Sequence, residues 1–331
     1  MNLVEKVSAV KNLVNGYKST YIIIAAARIG VFDVLAKSSA TANEIAKVLN
    51  TDEKRIEPLL NALTSYKLIE KSNEVYALTE YREILDPSSP FNQLGYINHA
   101  LNMCDKWRDL EKAVMSREVA LDNFEDITGD NLDATRAFLQ AMNTNAIPQA
   151  RFISSNFDFD GHRFIDIGAG FGTYSIEIIK NFPNAQGIAF DLPVAASIIN
   201  ENVQAAGLSD RLKVLSGDYN KDLPSEKCND AFLFAVIHQE DIQNAKQLIK
   251  AAFELLENEG RLFITSFFLD DDRIEPAFSV LFGVEMLVGS QQGRVYAHSE
   301  IRSILIETGF TDIKCIREIP SPATLYVATK H

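Results

Sequence analysis

The sequence predicts a two-domain α/β protein whose first half is helical and whose second half is built around a mostly parallel sheet. Apolar residues recur at helical spacing from Val4 onward, whereas short apolar runs alternate with helical stretches from Arg163 onward. Strands that alternate with helices indicate β-α-β units, which form parallel sheets. The length of 331 residues also favours two domains, because one domain typically has about 100–200 residues.

The composition and charge limit which classes of molecule the protein can bind. The chain is 47% hydrophobic and 23% charged, which is ordinary for a globular protein. Its formal net charge of -13 disfavours nucleic acid and anionic membrane surfaces as partners, because like charges repel. Three cysteines lie far apart without a C-x-x-C pair, so we expect reduced thiols. We see no signal peptide and no apolar stretch of bilayer length, and therefore expect a cytoplasmic protein.

A winged helix is predicted within residues 1–90. Thr41 and Glu44 have the spacing of a capping box at the start of a short helix. Thr51 or Asp52 can cap a second helix, and a hairpin follows that helix. Acids and bases are balanced in the second helix, whereas a helix that reads DNA usually has a basic excess. We therefore interpret this domain as a packing or dimerisation module.

The second half contains the elements of the predicted sheet. The predicted strands are Arg163–Ile167, Gln186–Phe190, Leu212–Leu215, Asp230–Val236 and Arg261–Phe267. The predicted helices are Thr173–Asn181, Val194–Ala206 and Asp241–Glu257. Two further strands, Asp312–Arg317 and Ala323–Thr329, flank a proline-containing turn and predict an antiparallel hairpin at the sheet edge. Residues 91–150 are predicted to be a helical linker that lines the substrate, and residues 151–331 the α/β domain.

The densest motif is FIDIGAGFGTYSIEI, in which Asp166 precedes glycines at Gly168, Gly170 and Gly172. Glycines allow a tight turn and close approach to a ligand, and the following helix offers free N–H groups. A dinucleotide fingerprint reads G-x-G-x-x-G, but Thr173 stands where its third glycine belongs. A carboxylate before the glycines would repel a pyrophosphate and attract a sulfonium or an ammonium group. The motif therefore favours S-adenosylmethionine over NAD.

Further cofactor contacts are predicted where the next strands end, because ligands of open α/β sheets bind at the carboxyl ends of strands. Asp191, with Leu192 beside it, can bind ribose hydroxyls or can instead cap the following helix. Asp218 and Tyr219 follow the third strand and would flank the adenine. Ala235, near the end of the fourth strand, completes the predicted cofactor site.

With these motifs, the chain resembles the class I S-adenosylmethionine-dependent small-molecule O-methyltransferases, a family of plant and bacterial type that includes caffeic acid, hydroxyindole and polyketide enzymes. The resemblance covers nearly the whole chain, through the winged-helix start, D-x-G-x-G-x-G, FDLP and GDYxKDLP. It implies a Rossmann-like domain with a seven-stranded sheet after an all-helical winged-helix dimerisation domain. It also implies a homodimer through the N-terminal domain, S-adenosyl-L-methionine as cofactor, S-adenosyl-L-homocysteine as product, and no metal. The implied reaction methylates a hydroxyl of a small aromatic metabolite.

The resemblance also implies a catalytic residue. In the family, the histidine after the fourth strand deprotonates the acceptor hydroxyl, and His238 matches it. Imidazole titrates near neutrality, which suits this proton, although a histidine at a strand end can also be structural. The family's supporting carboxylates are absent from the stretches 264–266 and 293–296, and Gln239 and Glu240 replace the usual Asp-Trp pair. The alternative is a C- or N-methyltransferase, or a member that binds the cofactor without conventional methyl transfer.

The family draws its acceptor site from the helix before the glycine loop and from the segment after the fifth strand. The matching candidates are Phe138, Met142, Asn145, Phe282 and Met286. Aromatic and methionine residues at helical spacing can equally be plain core. If they line a pocket, the acceptor is flat, apolar and largely buried.

Overall fold

In the computed structural model of the protein, the described residues are 1–116 and 132–331. They divide into two compact units, Met1–Cys104 and Asp105–His331. Residues 117–131, part of the predicted helical region 91–150, lie outside the described residues. The division into 1–90, 91–150 and 151–331 stays a prediction.

The first unit consists mainly of helices, with a small antiparallel sheet. Its helices are α1 (Leu3–Val14), α2 (Tyr17–Ile29), α3 (Val31–Lys37), α4 (Ala42–Val48), α5 (Glu53–Ser65), α6 (Arg82–Leu85) and α7 (Leu94–Trp107), the last of which crosses the boundary between the units. Its strands are β1 (Ala40–Thr41), β2 (Ile69–Ser72) and β3 (Val75–Leu78), in the order β1-β3-β2.

The winged helix has the capping residues that the sequence predicted. Thr41 begins α4 with a capping box, in which its hydroxyl accepts the Glu44 N–H and the Glu44 carboxylate accepts the Thr41 N–H. Of the two candidates for the second cap, Asp52 is the N-cap of α5 and accepts the N–H of Lys54. Strands β2 and β3 pair as the hairpin of the wing.

Helix α1 differs from the rest of this unit because none of its residues is buried. Large exposed apolar side chains of this kind mark interaction surfaces. The most exposed are Leu3, Val4, Val10, Leu13 and Val14, each between 61% and 82% exposed. Among the described residues, no single helix is long and apolar enough to cross a bilayer. Only the segments Leu3–Ile29 and Val31–Lys37, which are bent relative to each other, reach the required length and hydrophobicity when they are taken together.

The second unit contains the predicted sheet and its helices. The helices are α8 (Leu110–Met115), α9 (Leu132–Asn156), α10 (Thr173–Asn181), α11 (Pro193–Ala205), α12 (Ile242–Leu255), α13 (Ala277–Gly289) and α14 (His298–Thr308). The strands are β4 (Arg163–Ile167), β5 (Gln186–Asp191), β6 (Leu212–Ser216), β7 (Cys228–Phe234), β8 (Leu256–Ser266), β9 (Phe310–Ile316) and β10 (Thr324–Lys330). They pair in the order β6-β5-β4-β7-β8-β10-β9, with β10 antiparallel to both its neighbours.

Apolar cores cover both faces of this sheet. Successive side chains of a strand point to opposite faces. Ile165 of β4 accordingly packs in a cluster with α12 and α14, whereas Phe164 packs in a cluster with α9 and α10. With both faces covered, the loops at the carboxyl ends of the parallel strands form the open edge where a ligand can bind.

The predicted elements of the second unit differ from the structure only at their ends. The fourth strand ends at Phe234 instead of Val236, because Ala235 has a left-handed φ of 56° that a strand does not allow. The predicted helix Asp241–Glu257 is α12, Ile242–Leu255, because Asp241 is its N-cap and accepts the N–H groups of Gln243 and Asn244. The antiparallel hairpin at the sheet edge, β9 and β10, is confirmed.

Candidate active site

The predicted glycine loop lies between the carboxyl end of β4 and the start of α10. Gly168, Gly170 and Gly172 adopt left-handed φ values of 73°, 61° and 80°, which residues with a side chain rarely adopt. A Cβ at Gly168 would lie 2.6 Å from Cγ2 of Val236, which follows β7. The loop therefore needs glycine both for its turn and for its close approach to the β7 loop.

Asp166 is a buried carboxylate with one unpaired oxygen. It is 1% exposed, and its Oδ2 accepts the Ser175 hydroxyl at 2.7 Å. Its Oδ1 has no hydrogen-bond partner within the described part of the chain. Burial raises the pKa of Asp166 to about 7, although the Ser175 hydrogen bond opposes this shift. Because a buried polar atom without a partner is costly, Oδ1 fits an ammonium or another donor of a ligand.

Asp191 connects the glycine loop to α11 at the end of β5. Its Oδ2 accepts the N–H of Gly170 at 2.7 Å, and its Oδ1 accepts the N–H of Leu192 at 2.7 Å. The N-cap of α11 is Leu192, so Asp191 is not the helix cap. Burial raises the pKa of Asp191. Each carboxylate oxygen has a second lone pair, so Asp191 can also accept hydrogen bonds from ribose hydroxyls.

Asp218 and Tyr219 follow β6, and their polar atoms are engaged within the chain. The Asp218 carboxylate pairs with Lys221 at 2.9 Å and accepts the N–H of Asn220, and the Lys221 ammonium lowers its pKa. The Tyr219 hydroxyl donates to Oε1 of Glu240 at 2.8 Å. The Tyr219 ring is thus the part of this loop best suited to an adenine. Both cofactor roles stay predictions.

Glu240 joins three loops of the site, which the sequence did not predict. It is 2% exposed, and its carboxylate accepts hydrogen bonds from the Tyr219 hydroxyl and from the side-chain amides of Asn220 and Gln292, the last two at 3.0 Å. Its backbone carbonyl accepts the Tyr296 hydroxyl at 2.7 Å. In the sequence, the only indication of this role was that Gln239 and Glu240 replace the family's usual Asp-Trp pair, and this replacement does not reveal the partners of Glu240.

His238, the predicted catalytic residue, lies in a short 3₁₀ helix, Ile237–Gln239, just after β7. The residue is 7% exposed, and its Nδ1 lies 3.2 Å from Oγ of Ser266. Ser266 belongs to the stretch where the family resemblance places a supporting carboxylate. Burial lowers the pKa of His238 to about 4, so the imidazole is neutral at neutral pH. Ala235, three residues earlier, is exposed at the same edge.

Two aromatic rings lie beside the His238 imidazole. The ring centroids of Phe282 and Phe267 lie 4.9 Å and 6.1 Å from that of His238. Phe282, predicted from the sequence to line the substrate, is therefore placed beside the predicted catalytic residue. Phe267 was missed, because only the tertiary packing of α13 reveals that it faces the imidazole. In the described ranges, no three His, Cys, Asp or Glu residues are grouped to hold a metal ion.

The other predicted substrate residues lie on α9 and α13. Phe138 packs in a small cluster with Phe171 of the glycine loop, so the start of α9 lies beside that loop. Met142 and Met286 are partly buried, whereas Asn145 is exposed. Contact of these residues with substrate stays a prediction.

The sheet order and the loop at its carboxyl edge define a class I methyltransferase fold, and comparison with known families agrees. Residues 104–311 match the family model of the O-methyltransferase domain, and residues 11–85 match that of the O-methyltransferase dimerisation domain. The first match spans more than half of the chain. The chain therefore belongs to the O-methyltransferase family, and the predicted enzyme class, an S-adenosylmethionine-dependent O-methyltransferase, is confirmed.

Individual relatives match along most of their length. The chain is 27% identical over 313 residues to the 3-hydroxy-5-methyl-1-naphthoate 3-O-methyltransferase of Streptomyces sahachiroi, covering 92% of this chain and 90% of that protein. The solved structure of PigF with SAH superimposes with a TM-score of 0.89 at 23% identity over 100% of both chains. The relative named PigF, an S-adenosyl-L-methionine-dependent methyl transferase, is from Serratia. Human N-acetylserotonin methyltransferase in complex with SAM superimposes with a TM-score of 0.86 at 21% identity, covering 100% of this chain and 98% of that one.

Proposed function

We propose that this enzyme transfers a methyl group from S-adenosyl-L-methionine to a hydroxyl of a small, flat and largely apolar aromatic molecule, with His238 as the general base. The observation that carries the proposal is that the glycine loop and the neutral imidazole share one edge of the sheet. Gly168 approaches Val236 so closely that a Cβ would not fit, and His238 follows two residues after Val236. The relatives that act on a naphthoate and on N-acetylserotonin support an aromatic acceptor.

The residues around the glycine loop fit this cofactor. The unpaired Oδ1 of Asp166 suits the ammonium group of the methionine part, and the Asp191 carboxylate suits the ribose hydroxyls. Leu192, Ala235 and the Tyr219 ring lie at the strand ends that would surround the adenosine. When bound, the cofactor supplies an electrophilic methyl group on a sulfonium.

The remaining task of the chain is to align the acceptor hydroxyl and to remove its proton. If Nδ1 of His238 donates to Oγ of Ser266, Nε2 is the nitrogen that accepts the proton. A hydroxyl stabilises an imidazolium less than a carboxylate does, which makes His238 a weak base. Alignment of the acceptor against Phe267 and Phe282 therefore provides much of the rate enhancement.

An assay that identifies the methylated atom tests this proposal. Purified enzyme is incubated with S-adenosyl-L-methionine, a chelator and a panel of hydroxynaphthoates and phenols, and the products are analysed by mass spectrometry. We expect methyl ethers, and we expect His238→Gln to lower kcat by about 10²-fold, the low end of the range for general base catalysis, while the Kd of the cofactor is unchanged. Carbon- or nitrogen-methylated products would favour the alternative reaction, and an unchanged kcat would exclude His238 as the base.

We also propose that the enzyme is a homodimer through its N-terminal domain. Support comes from the match to the dimerisation domain and from the exposed apolar side chains of α1. We expect light scattering to give twice the mass of one chain, and Leu13→Asp to shift the population towards the monomer, because a charge cannot be buried cheaply in an apolar interface. A monomeric native protein would contradict the proposal.

A further inference from the structure

Helix α13 is an apolar helix that contains a single charged residue, Glu285. Residues spaced i, i+4 and i+7 lie on one side of a helix. Phe278, Phe282 and Glu285 have this spacing, so the acid shares a face with two aromatic rings. The face is therefore aromatic along one part and anionic one turn further on.

The two aromatic residues of this face contact residues of the candidate active site. The Phe282 ring lies 4.9 Å from the His238 ring and 4.7 Å from the Phe267 ring. The Phe278 ring lies 4.8 Å from the Phe267 ring. Because Cβ atoms at i and i+3 are about 5–6 Å apart on a helix, Glu285 stands roughly one aromatic ring beyond Phe282.

Glu285 is partly buried, and among residues 1–116 and 132–331 no hydrogen bond or neighbouring charge contributes to the electrostatics of its carboxylate. Burial raises its pKa. Glu240, a carboxylate beside His238, instead accepts three side-chain hydrogen bonds. A partly buried carboxylate without a protein partner is incompletely hydrogen-bonded, and a bound group that donates a hydrogen bond would complete it.

Building on the proposed function, we propose that Glu285 determines which acceptors are used, by accepting a hydrogen bond from a hydroxyl or amine that the acceptor carries about one ring away from the hydroxyl to be methylated. The rings of Phe267, Phe278 and Phe282 hold a flat molecule but do not fix its rotation within its own plane. A Glu285 oxygen that accepts a hydrogen bond at a fixed distance from His238 fixes this rotation. It also disfavours molecules that lack the second hydroxyl or amine.

Three naphthols that differ in one substituent test this role. The probes are 2-naphthol, 2,7-dihydroxynaphthalene and 7-(aminomethyl)-2-naphthol, which carry no second donor, a neutral donor and a cationic donor. We expect the native enzyme to prefer both donor-bearing probes by about 10- to 100-fold in kcat/KM, the range for a hydrogen bond to a charged group. Glu285→Leu should abolish both preferences. Glu285→Gln should keep the preference for the diol and lose that for the amine.

The exposed Glu275, just before the same helix, provides the matched control, and Glu275→Gln should retain both preferences. Dissociation constants of the probes, measured with S-adenosyl-L-homocysteine bound, test Glu285 independently of turnover. If the dissociation constants show the same order of probes and Glu285→Leu loses that order, the role of Glu285 is supported even when no probe is methylated. A lack of methylation would count against the proposed function alone. Equal binding of all three probes, or a preference that survives in folded Glu285→Leu, would overturn the inference.

Discussion

The two ends of the central sheet treat buried carboxylates in opposite ways. At the amino end, Asp230 is 0% exposed, and its oxygens meet Arg261 Nε at 2.6 Å and His162 Nδ1 at 2.7 Å. At the carboxyl end, Asp166 is buried to nearly the same extent, but Ser175 is its single hydrogen-bond partner among the described residues. The two carboxylates thus differ in their hydrogen-bond partners and not in how deeply they are buried.

This difference separates charges that serve the fold from charges that serve a ligand. A buried pair with good geometry satisfies its charge within the protein, and removal of one partner is strongly destabilising. Buried polar groups that lack a partner persist where a substrate or cofactor completes them, and their pKa values are shifted accordingly. We therefore expect substitutions at the two ends to change stability in opposite directions.

The largest effect is expected at the amino end. Arg261→Met keeps most of the side-chain volume but leaves Asp230 buried without its guanidinium partner. We expect the free energy of unfolding to fall by about 3–5 kcal/mol, measured by urea unfolding at pH 8. The Kd of S-adenosyl-L-methionine for the folded protein should stay unchanged. A destabilisation below about 1 kcal/mol would mean that His162 alone satisfies Asp230.

The opposite sign is expected for Asp166→Asn. Burial raises the pKa of Asp166 to about 7 from a usual 3.8, so the folded state holds the proton more tightly than the unfolded state. The stability from this group is present below pH 3.8 and is lost as the pH rises through 7. At pH 8 without cofactor, Asp166→Asn should therefore stabilise the protein by about 2–4 kcal/mol, and the gain should vanish near pH 4.

The Kd of S-adenosyl-L-methionine should rise in the same variant, because an amide does not pair with an ammonium as a carboxylate does. Ser175→Ala is the useful companion, because it removes the remaining hydrogen bond of Asp166. It should destabilise the protein without cofactor. Loss of stability in Asp166→Asn at pH 8 would contradict the view that this carboxylate is held for a ligand.

Two glycines with the same backbone provide the next comparison. Gly168 at the carboxyl end and Gly161 before β4 have φ values of 73° and 72°. A Cβ at Gly168 would meet Val236 at 2.6 Å, whereas a Cβ at Gly161 would meet nothing within 4 Å. Gly168→Ala adds both strain and overlap, and we expect the Kd of the cofactor to rise on the order of 30- to 1000-fold.

Gly161→Ala adds the backbone strain alone. We expect a loss of stability of about 1 kcal/mol and an unchanged Kd in a calorimetric titration. If the two variants bound the cofactor equally well, the close approach of the glycine loop to Val236 would have no role in the site.

How far the sequence could predict the site depends on how local each feature is. The glycine loop and Asp166 were predictable, because the turn, the acid and the following helix lie within one short segment. The contacts of Glu240 and Ser266 were not, since their partners are 20 or more residues away and depend on how loops from different strands pack. The end of β7 was also missed, because nothing in the residue type of Ala235 reveals its left-handed φ.

The smallest expected effect concerns the contact between Ser266 and His238. Native His238 has a pKa of about 4 and must be neutral to accept a proton, so kcat/KM should be constant from pH 8 down to about 5 and fall only through pH 4. Ser266→Asp places a carboxylate near Nδ1, which favours the imidazolium and should raise this midpoint by about 1–3 pH units. The stronger base should also raise kcat at pH 8 by about 3- to 10-fold.

Ser266→Ala loses the hydrogen bond but gains no charge, so it should lower kcat slightly without raising the midpoint. A common midpoint in all three proteins would show that Ser266 does not act through the histidine.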